Sequence, residues 1–280
     1  MAGLRYWMVA VMVAALAAAP AARAQTPSPQ AEWQLSPGIQ LEKYYRDGQI
    51  PDWAVLLGGA VESKPAYPGS GRWIVDGGPV VDIRYRDLAF LSVGEGLGVN
   101  LLRGKAWRAG LSVGYDLGRA ESDDRTHLNG MGDIDPAAVP KAFAEVVLFP
   151  VTVRADLRRS LGSGDGWIGD LAAYLPVAGS DAGALFVGTS ASFADDRYMQ
   201  TWYGVTNAQA ARSVHPAYRA GGGLESVRAS LTGVWFFVGD QHWLLEGDAS
   251  VQRLLGSADG SPIVGETLNG VITVTVGYRF

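Results

Sequence analysis

Histidine is the side chain most often used for proton transfer near neutral pH, and the chain contains His127, His215 and His242. A Ser–His pair with a polar orienting group would support hydrolysis. His127 and His215 lie in segments without strand periodicity, whereas His242 lies at the start of a predicted strand. Their spacing assembles no catalytic triad. We therefore predict that the chain is not an enzyme, with a hydrolase as the less favoured alternative.

Cofactor and metal sites are the next candidates. Four acidic residues occur in one predicted loop, but Ser122–Arg125 lacks the D-x-D-x-D-G spacing of a calcium loop. A solvated acidic loop is the favoured interpretation. Gly221–Gly223 is not followed by the G-K-[ST] of a phosphate loop. The chain has no cysteine, which excludes a thiol nucleophile and a Cys-ligated metal. The sequence thus predicts no cofactor and no metal; the acidic residues are Asp123, Asp124, Asp133 and Asp135.

The composition excludes two broad classes. Hydrophobic residues make up 48% of the 280 residues, which is far above what a disordered chain contains. The net charge is −5, so a nucleic-acid partner is not expected. Glycine is frequent, with 37 residues, and charged residues are only 18%. Together these values indicate a folded chain with extensive apolar surface.

The first 24 residues are predicted to be a secretory signal peptide. Arg5 provides the positive charge, Trp7–Ala19 is the apolar segment, and Ala22-Arg23-Ala24 is an A-x-A cleavage site. The apolar segment is shorter than the roughly 20 residues of a transmembrane helix. Residues 25–32 are predicted to be a flexible leader, and residues 33–280 a single β-barrel domain.

Alternation of apolar and polar residues dominates the rest of the chain. From Trp107 to Leu117 every odd position is apolar and every even one is small, polar or charged, which predicts a long strand. Similar alternation covers 147–157, 243–251 and 272–280. Weaker patterns predict strands at 53–62, 72–86, 88–102, 166–177, 182–193, 217–225 and 227–238, with a further candidate at 33–43. Two long connections remain, at 119–141 and 194–216, the second with a short helical turn at Asn207–Arg212.

The direction of the apolar face decides the fold class. The predicted strands are long enough to cross a bilayer when tilted, for which about 9–11 residues are needed. Their other face carries charges of both signs, which can pair inside a lumen, and aromatic residues fall near strand ends. The predicted inward charges are Asp82, Arg84, Arg86, Arg108, Asp116, Arg154, Asp156, Arg158, Glu246, Asp248 and Arg279. We therefore predict an all-β, antiparallel transmembrane β-barrel of about twelve strands, or ten, in the outer membrane. A secreted soluble β-sandwich is the alternative.

The last strand of the sequence resembles an assembly signal. It alternates through Val276, Tyr278 and Phe280 and stops on an aromatic residue. This resembles the C-terminal segment that the barrel-assembly machinery of Gram-negative bacteria recognises. We therefore expect Tyr278 and Phe280 to serve assembly, with that machinery and outer-membrane lipid as partners.

A series of loop motifs resembles the MltA-interacting protein family (MipA/OmpV) of outer membranes. The matches follow the order of the family from about residue 50 to the end of the chain. One departure is Ser213-Val214-His215, where the family often has S-G-L. The family positions present in this sequence are Pro65, Tyr67, Gly69, Gly118, Arg119, Leu128, Gly130, Gly132, Asp133, Tyr198, Met199, Thr201, Gly204, Val205, Gln209, Ser213, Ser261 and Pro262.

The resemblance implies a function as well as a fold. The best-known member implies a scaffold that links a lytic transglycosylase to a penicillin-binding protein of peptidoglycan synthesis. Other members imply an adhesin or a porin-like protein. A narrow channel therefore remains an alternative, although twelve strands enclose a narrower lumen than the 16–18 strands of porins.

Overall fold

The computed structural model describes residues 36–237 and 240–280. The strands form one closed, antiparallel barrel in which each strand pairs with its sequence neighbours and β1 pairs with β12. The fold class and the strand number are those predicted from the sequence. The strands are β1 (Trp53–Pro65), β2 (Trp73–Tyr85), β3 (Ala89–Ser92), β4 (Gly96–Arg103), β5 (Trp107–Asp116), β6 (Ala137–Leu148), β7 (Val151–Ser160), β8 (Gly166–Ser180), β9 (Gly183–Ala194), β10 (Gly223–Phe237), β11 (Asp240–Leu254) and β12 (Leu268–Arg279).

The two faces of the barrel differ as an outer-membrane barrel requires. On β5, the Val113 side chain points outward with 51% exposure, and the neighbouring Ser112 points inward with 4%. On β12, Ile272, Val274 and Val276 are exposed while the intervening threonines are buried. An apolar exterior with a polar interior is the inverse of a soluble barrel. It identifies the outer surface as the lipid-facing one.

The two ends of the barrel are unequal. At one end, called here the short-turn end, neighbouring strands are joined by turns such as 104–106, 149–150 and 181–182. The helix α1 (Ser36–Tyr45) lies at this end, where it contacts β6 and β7. At the other end, called the loop end, long connections contain a 3-10 helix (Glu121–Asp123) and the helices α2 (Arg125–Leu128), α3 (Asp196–Tyr203), α4 (Asn207–Ala210) and α5 (Gly256–Asp259).

The β3–β4 hairpin is unusually short. It pairs with β2 only over Asp82–Tyr85, and β4 reaches only as far as Val113 on β5. Among the described residues, β2 therefore has no strand partner on this side between Trp73 and Val80. The turn of the hairpin, residues 93–95, lies part of the way up the barrel wall. This position places Glu95 inside the lumen, where it is 1% exposed.

Several predicted strands differ from the observed ones although the total agrees. The segment 88–102 forms two strands, because Val93-Gly94-Glu95 turns within it. The alternation over 147–157 crosses the turn at 149–150, where the inward face changes from odd positions on β6 to even positions on β7. The predicted loop 119–141 includes the start of β6, which was therefore missed. Most of the predicted strand 217–225 is a loop with one isolated bridge at Tyr218.

The candidate strand at 33–43 was wrong in the part that the structure describes, because Ser36–Tyr45 is helical. Residues 33–35 lie outside the described residues, as do the predicted signal peptide and leader. The short helical turn predicted at Asn207–Arg212 is confirmed by α4. In the described part of the chain, no helix combines the length and apolar character needed to cross a membrane.

Candidate functional site: a filled lumen and a packed loop cap

The middle of the lumen holds a cluster of buried charges from four strands of the wall and the β3–β4 turn. Glu95 accepts hydrogen bonds from Arg108 Nη2 at 2.8 Å and from Arg154 Nη1 at 2.6 Å. Glu145 on β6 lies 3.2 Å from Arg154 and 3.4 Å from Arg108. Arg84 on β2 also donates to Glu95. We call this set, with Asp82 and Asp156, the central ion-pair cluster.

The guanidinium groups of the cluster are held from several sides. Arg84 is fixed by two bonds to Asp82 at 2.7 and 2.8 Å, and Arg154 Nε lies 2.9 Å from Asp156. The Phe143 ring lies under both Arg108 and Arg154, at 5.2 and 5.0 Å. Buried charges need such pairing, because removal from water costs each ion several kcal/mol. The cluster therefore fills the lumen beside β5, β6 and β7 with buried side chains.

At the loop end, four segments pack together as a cap: residues 66–72, 117–136, 195–222 and 255–267. One apolar core of this loop cap joins Tyr67, Leu128, Met131, Val205 and Ile263. The Tyr67 hydroxyl donates to Ile263 O at 2.6 Å. Burial, followed by the charge of Asp124, raises the pKa of Tyr67, which stays neutral. Residues nearly 200 positions apart are thus fixed to one another.

A second apolar core lies beneath α3. Met199 and Trp202 pack with Ile134, Leu254 and Ala258, among others. The glycine positions of the motifs permit the turns that bring these segments together. Gly118, Gly130 and Gly132 have φ values of 71°, 85° and 78°, which L side chains rarely adopt.

Arg119 connects the two cores of the cap. It is 4% exposed, and its Nη1 donates to Trp202 O at 2.7 Å. Its guanidinium lies 5.9 Å from the Tyr67 ring and 6.0 Å from the Trp202 ring. Because Arg presents several donors and a flat cationic face, it can serve both contacts at once.

Polar groups of the motifs complete the cap. Gln209 Nε2 donates to Met131 O at 2.6 Å, and Ser261 Oγ to Tyr203 O at 2.5 Å. The Asp133 carboxylate accepts from Glu121 N at 2.8 Å. Gly69 N donates to the Asn269 side chain at 2.7 Å. The acidic residues of this loop thus form structural hydrogen bonds.

Most of the family positions predicted from the sequence therefore meet in the loop cap. Pro65 ends β1 below it, Gly204 ends α3, and Ser213 caps the following turn by accepting from His215 N at 3.2 Å. Tyr198 lies on α3 against the second core. Thr201 and Pro262 are half-buried, and no particular contact explains their place in the motifs. Tyr278 and Phe280 lie at the opposite, short-turn end.

Two of the histidines, His127 and His215, form hydrogen-bond contacts within the loop cap. His127 Nδ1 lies 3.0 Å from Asp124 Oδ2, to which the buried Ser70 Oγ also donates at 3.1 Å. His215 Nε2 lies 2.8 Å from His127 O. Although burial raises the pKa of Asp124, the bonds from His127 and Ser70 outweigh it and lower that pKa below its usual value. Ser70 donates to the Asp124 carboxylate and not to a histidine nitrogen, so this group contains no Ser–His pair.

A G-x-S-x-G sequence occurs at Gly110–Gly114, within β5. Its Ser112 lies in a regular strand and faces the packed lumen. A nucleophile elbow requires a sharp strand-to-helix turn, which is not the geometry here. Across the described residues, no three His, Cys, Asp or Glu side chains are grouped to hold a metal ion.

Sequence reasoning missed the residues at the centre of the cluster. Arg84, Arg108 and Arg154 were among the predicted inward charges, but Glu95 and Glu145 were not. Glu145 belongs to β6, whose start was assigned to a loop. Glu95 stands between two glycines in a turn, and its immediate neighbours, Gly94 and Gly96, were the available signal of a tight insertion.

The barrel, its lipid-facing exterior and its polar, partly filled interior define the class: an outer-membrane type of β-barrel. The family model described as MltA-interacting protein MipA matches residues 57–280. The chain belongs to this family. No curated protein matches the sequence.

Several solved structures of outer-membrane proteins are similar to this chain at low identity. A channel of the outer membrane from Pseudomonas putida F1 is 10% identical, with a TM-score of 0.39, over 83% of this chain and 97% of that chain. OprD from Pseudomonas aeruginosa is 12% identical, with a TM-score of 0.35, over 81% of this chain and 59% of that one. The chain thus spans little more than half of the OprD structures that it matches.

Proposed function

We propose that the protein resides in the outer membrane and acts there as a non-enzymatic scaffold. Its partners would be a lytic transglycosylase and a penicillin-binding protein, the pair implied by the MipA family. Membership of that family and the lipid-facing exterior support the location. The catalytic groups considered above are engaged in structural contacts, which supports a role without catalysis.

The single observation that carries the proposal is the central ion-pair cluster. Arg108 and Arg154 meet Glu95 in the middle of the lumen, and the loop cap covers one end of the barrel. Such a barrel leaves no wide path for solutes. If solutes do not pass through the lumen, the outer surfaces and loops remain for function. A scaffold binds its partners at such surfaces.

The orientation of the barrel in the membrane determines which end can contact the murein enzymes. Outer-membrane barrels place their short turns in the periplasm and their long loops outside the cell. The short-turn end, with α1 beside it, would then face the peptidoglycan. Arg46 follows α1 and is exposed, and the turns 104–106 and 181–182 lie at the same end. Murein enzymes would therefore contact this end and not the loop cap.

A pair of photo-crosslinking variants tests both the partners and the side. A photoreactive amino acid would replace Arg46 at the short-turn end or Val214, which is 86% exposed, in the loop cap. After irradiation of living cells, the barrel is purified and its crosslinked partners are identified by mass spectrometry. Murein enzymes crosslinked from position 46 and not from 214 support the proposal. Their absence from both positions contradicts it.

A narrow channel is the second candidate, because the lumen beside β1 and the loop-end half of β2 is less filled than the region of the cluster. There Glu62 and Asp76 keep 24% and 26% side-chain exposure. Conductance in planar bilayers distinguishes the two functions. The scaffold predicts no stable channel events for the wild-type protein, whereas regular, voltage-stable steps would favour the channel.

A further inference from the structure

One side of the lumen wall carries acidic residues in two adjoining rows. Strand register places directly opposed residues side by side on the same face. The first row crosses five neighbouring strands from β2 to β10 and contains Asp76, Glu62, Thr273, Asp248 and Thr232. The second row lies nearer the short-turn end and contains Gly78, Ala60, Thr275, Glu246 and Val234. We call these two rows the acidic wall.

The cations near the acidic wall are already engaged. Lys64 Nζ lies 3.0 Å from Glu62 and 3.2 Å from Asp76. Arg228 donates to the Gln252 side chain at 2.7 Å and lies four residues from Thr232 along β10. Asp248 accepts from Thr232 Oγ1 at 2.5 Å and is within electrostatic range of Arg228.

Glu246 differs from the other carboxylates of the wall. It is 3% exposed, and within the described residues it has neither a hydrogen-bond donor nor a cationic partner. The charged group that acts on Glu246 is Asp248, which is also negative. A buried, unpaired carboxylate is strongly unfavourable. A positive charge beside Glu246 would remove that penalty.

The row that contains Glu246 leads to open space at its β2 end. The neighbours of Glu246 in its row are small: Thr275, then Ala60, then Gly78. A methyl group added at Gly78 would meet no atom within 4 Å, so the lumen is open in front of that residue. The short β3–β4 hairpin explains this space, because it contributes no side chains opposite this part of β2.

We propose that Glu246, with Asp248 and the Thr275 hydroxyl, binds one small monovalent cation inside the barrel. Oxygen ligands of this kind suit hard cations. One uncompensated carboxylate calls for a single positive charge, and a divalent ion would need more carboxylates than meet here. The site is independent of the scaffold proposal, since it lies within the lumen and not on the partner-binding surface.

The test compares the Tm of the full-length protein in detergent between salt solutions of equal ionic strength. Sodium and potassium chloride are compared with the chloride of N-methylglucamine, whose cation is too bulky for the site. A small cation present in tenfold excess over its Kd should raise Tm by about 3–5 °C. Equal Tm values in all three salts would overturn the proposal, including the case in which a bound proton neutralises Glu246.

Three variants assign the effect to the site. Glu246→Gln should abolish the difference between the salts, whereas Glu266→Gln, at an exposed loop position, should keep it. Ala60→Met fills the space beside Thr275 with a flexible side chain and should also abolish the difference while Glu246 is retained. A cation effect that persists in Glu246→Gln would show that the ion binds elsewhere and would refute the assignment.

Discussion

Glu95 and Arg154 lie 59 positions apart in the chain, and Arg154 Nη1 donates to Glu95 Oε1 at 2.6 Å in the middle of the barrel. The contact exists because the short β3–β4 hairpin turns inside the wall instead of at its edge. It joins that turn to β7 across the lumen. One inserted carboxylate thus organises three arginines, Arg84, Arg108 and Arg154.

Replacing Glu95 by Ala should therefore destabilise the barrel strongly. Three guanidinium groups would lose a shared partner, and breaking a buried pair costs about 3–5 kcal/mol. Urea unfolding of the protein in lipid vesicles measures the change. The exposed pair of Arg86 and Asp52, at 3.0 Å, provides the control, because Arg86→Gln should change stability by less than about 1 kcal/mol. Similar losses in both variants would contradict the central role of Glu95.

The loop cap should depend on Arg119 in a different way. Arg119→Met keeps much of the side-chain volume but removes the donor to Trp202 O and the cationic face beside Tyr67. We expect residues 117–136 and 195–222 to become sensitive to limited proteolysis while the barrel stays folded and heat-modifiable. Arg125→Ala, at an exposed position of the same loop, should leave the proteolysis pattern unchanged. Resistance of the Arg119 variant would show that the apolar cores alone hold the cap.

The sequence predicted the architecture well because alternation is a local property. On β5 and β12 the inward and outward positions are those read from the sequence, as Ser112 and Val113 show. Strand ends were less predictable, because residues 146–151 are all apolar and the sequence pattern does not mark the tight turn at 149–150. The agreement in strand number rests partly on errors that cancel: β6 was largely missed and 88–102 was counted once, whereas 217–225 and 33–43 were both counted as strands.

The central cluster and the cap could not be predicted from sequence alone. Their contacts depend on how far each hairpin rises along the wall, and alternation carries no information about register between distant strands. The motif positions identified the cap segments without showing that Tyr67 would meet Ile263. Glu246 and Glu145 are both inward glutamates on strands, and only the structure shows that Glu145 has arginine partners while Glu246 has none.

The cap should also lose stability in acid. The pKa of Asp124 in the folded cap lies below its usual value of about 3.9, because His127 and Ser70 hydrogen-bond to the carboxylate and outweigh its burial. A lowered folded pKa stabilises the fold above the unfolded value, and the contribution is lost as pH falls through the folded pKa. Hydrogen exchange in residues 117–136 should therefore accelerate beyond the intrinsic pH effect below about pH 4.

Asp124→Asn isolates this effect. The variant should have a less protected cap at neutral pH and no further loss in acid, whereas Asp181→Asn, in an exposed turn at the other end, should behave as the wild type. An unchanged acid response in the Asp124 variant would assign the loss to other carboxylates.

Phe280 should matter for assembly more than for the finished fold. Its backbone N donates to Val55 O at 3.0 Å, and its exposed ring contacts Tyr278 at a centroid distance of 4.9 Å. Phe280→Ala keeps the backbone bond and removes little buried surface. We expect lower outer-membrane levels, measured by fractionation, with normal heat-modifiability of the protein that does assemble. Phe237→Ala, at another exposed phenylalanine, should leave the levels unchanged.

The lipid-facing side can be tested directly at two adjacent positions, because the chain contains no cysteine. A cysteine in Val113→Cys should react with a lipid-soluble maleimide and resist a water-soluble one. A cysteine at position 112 would show the reverse preference if the lumen there held water. The structure changes this expectation, because Ser112 is 4% exposed and packed beside Phe90 and Gly98, so Ser112→Cys should resist both reagents.

An arginine scan of the same pair gives the energetic counterpart. Val113→Arg places a charge in the apolar band and should cost about 2–4 kcal/mol at the bilayer midplane. This change would destabilise a soluble barrel as well. The labelling experiment is therefore the one that distinguishes the two orientations. If the cysteine at 113 reacts in native membranes with the water-soluble reagent and not with the lipid-soluble one, the exterior faces water. The transmembrane orientation argued from Val113, Ile272 and Val274 would then be wrong.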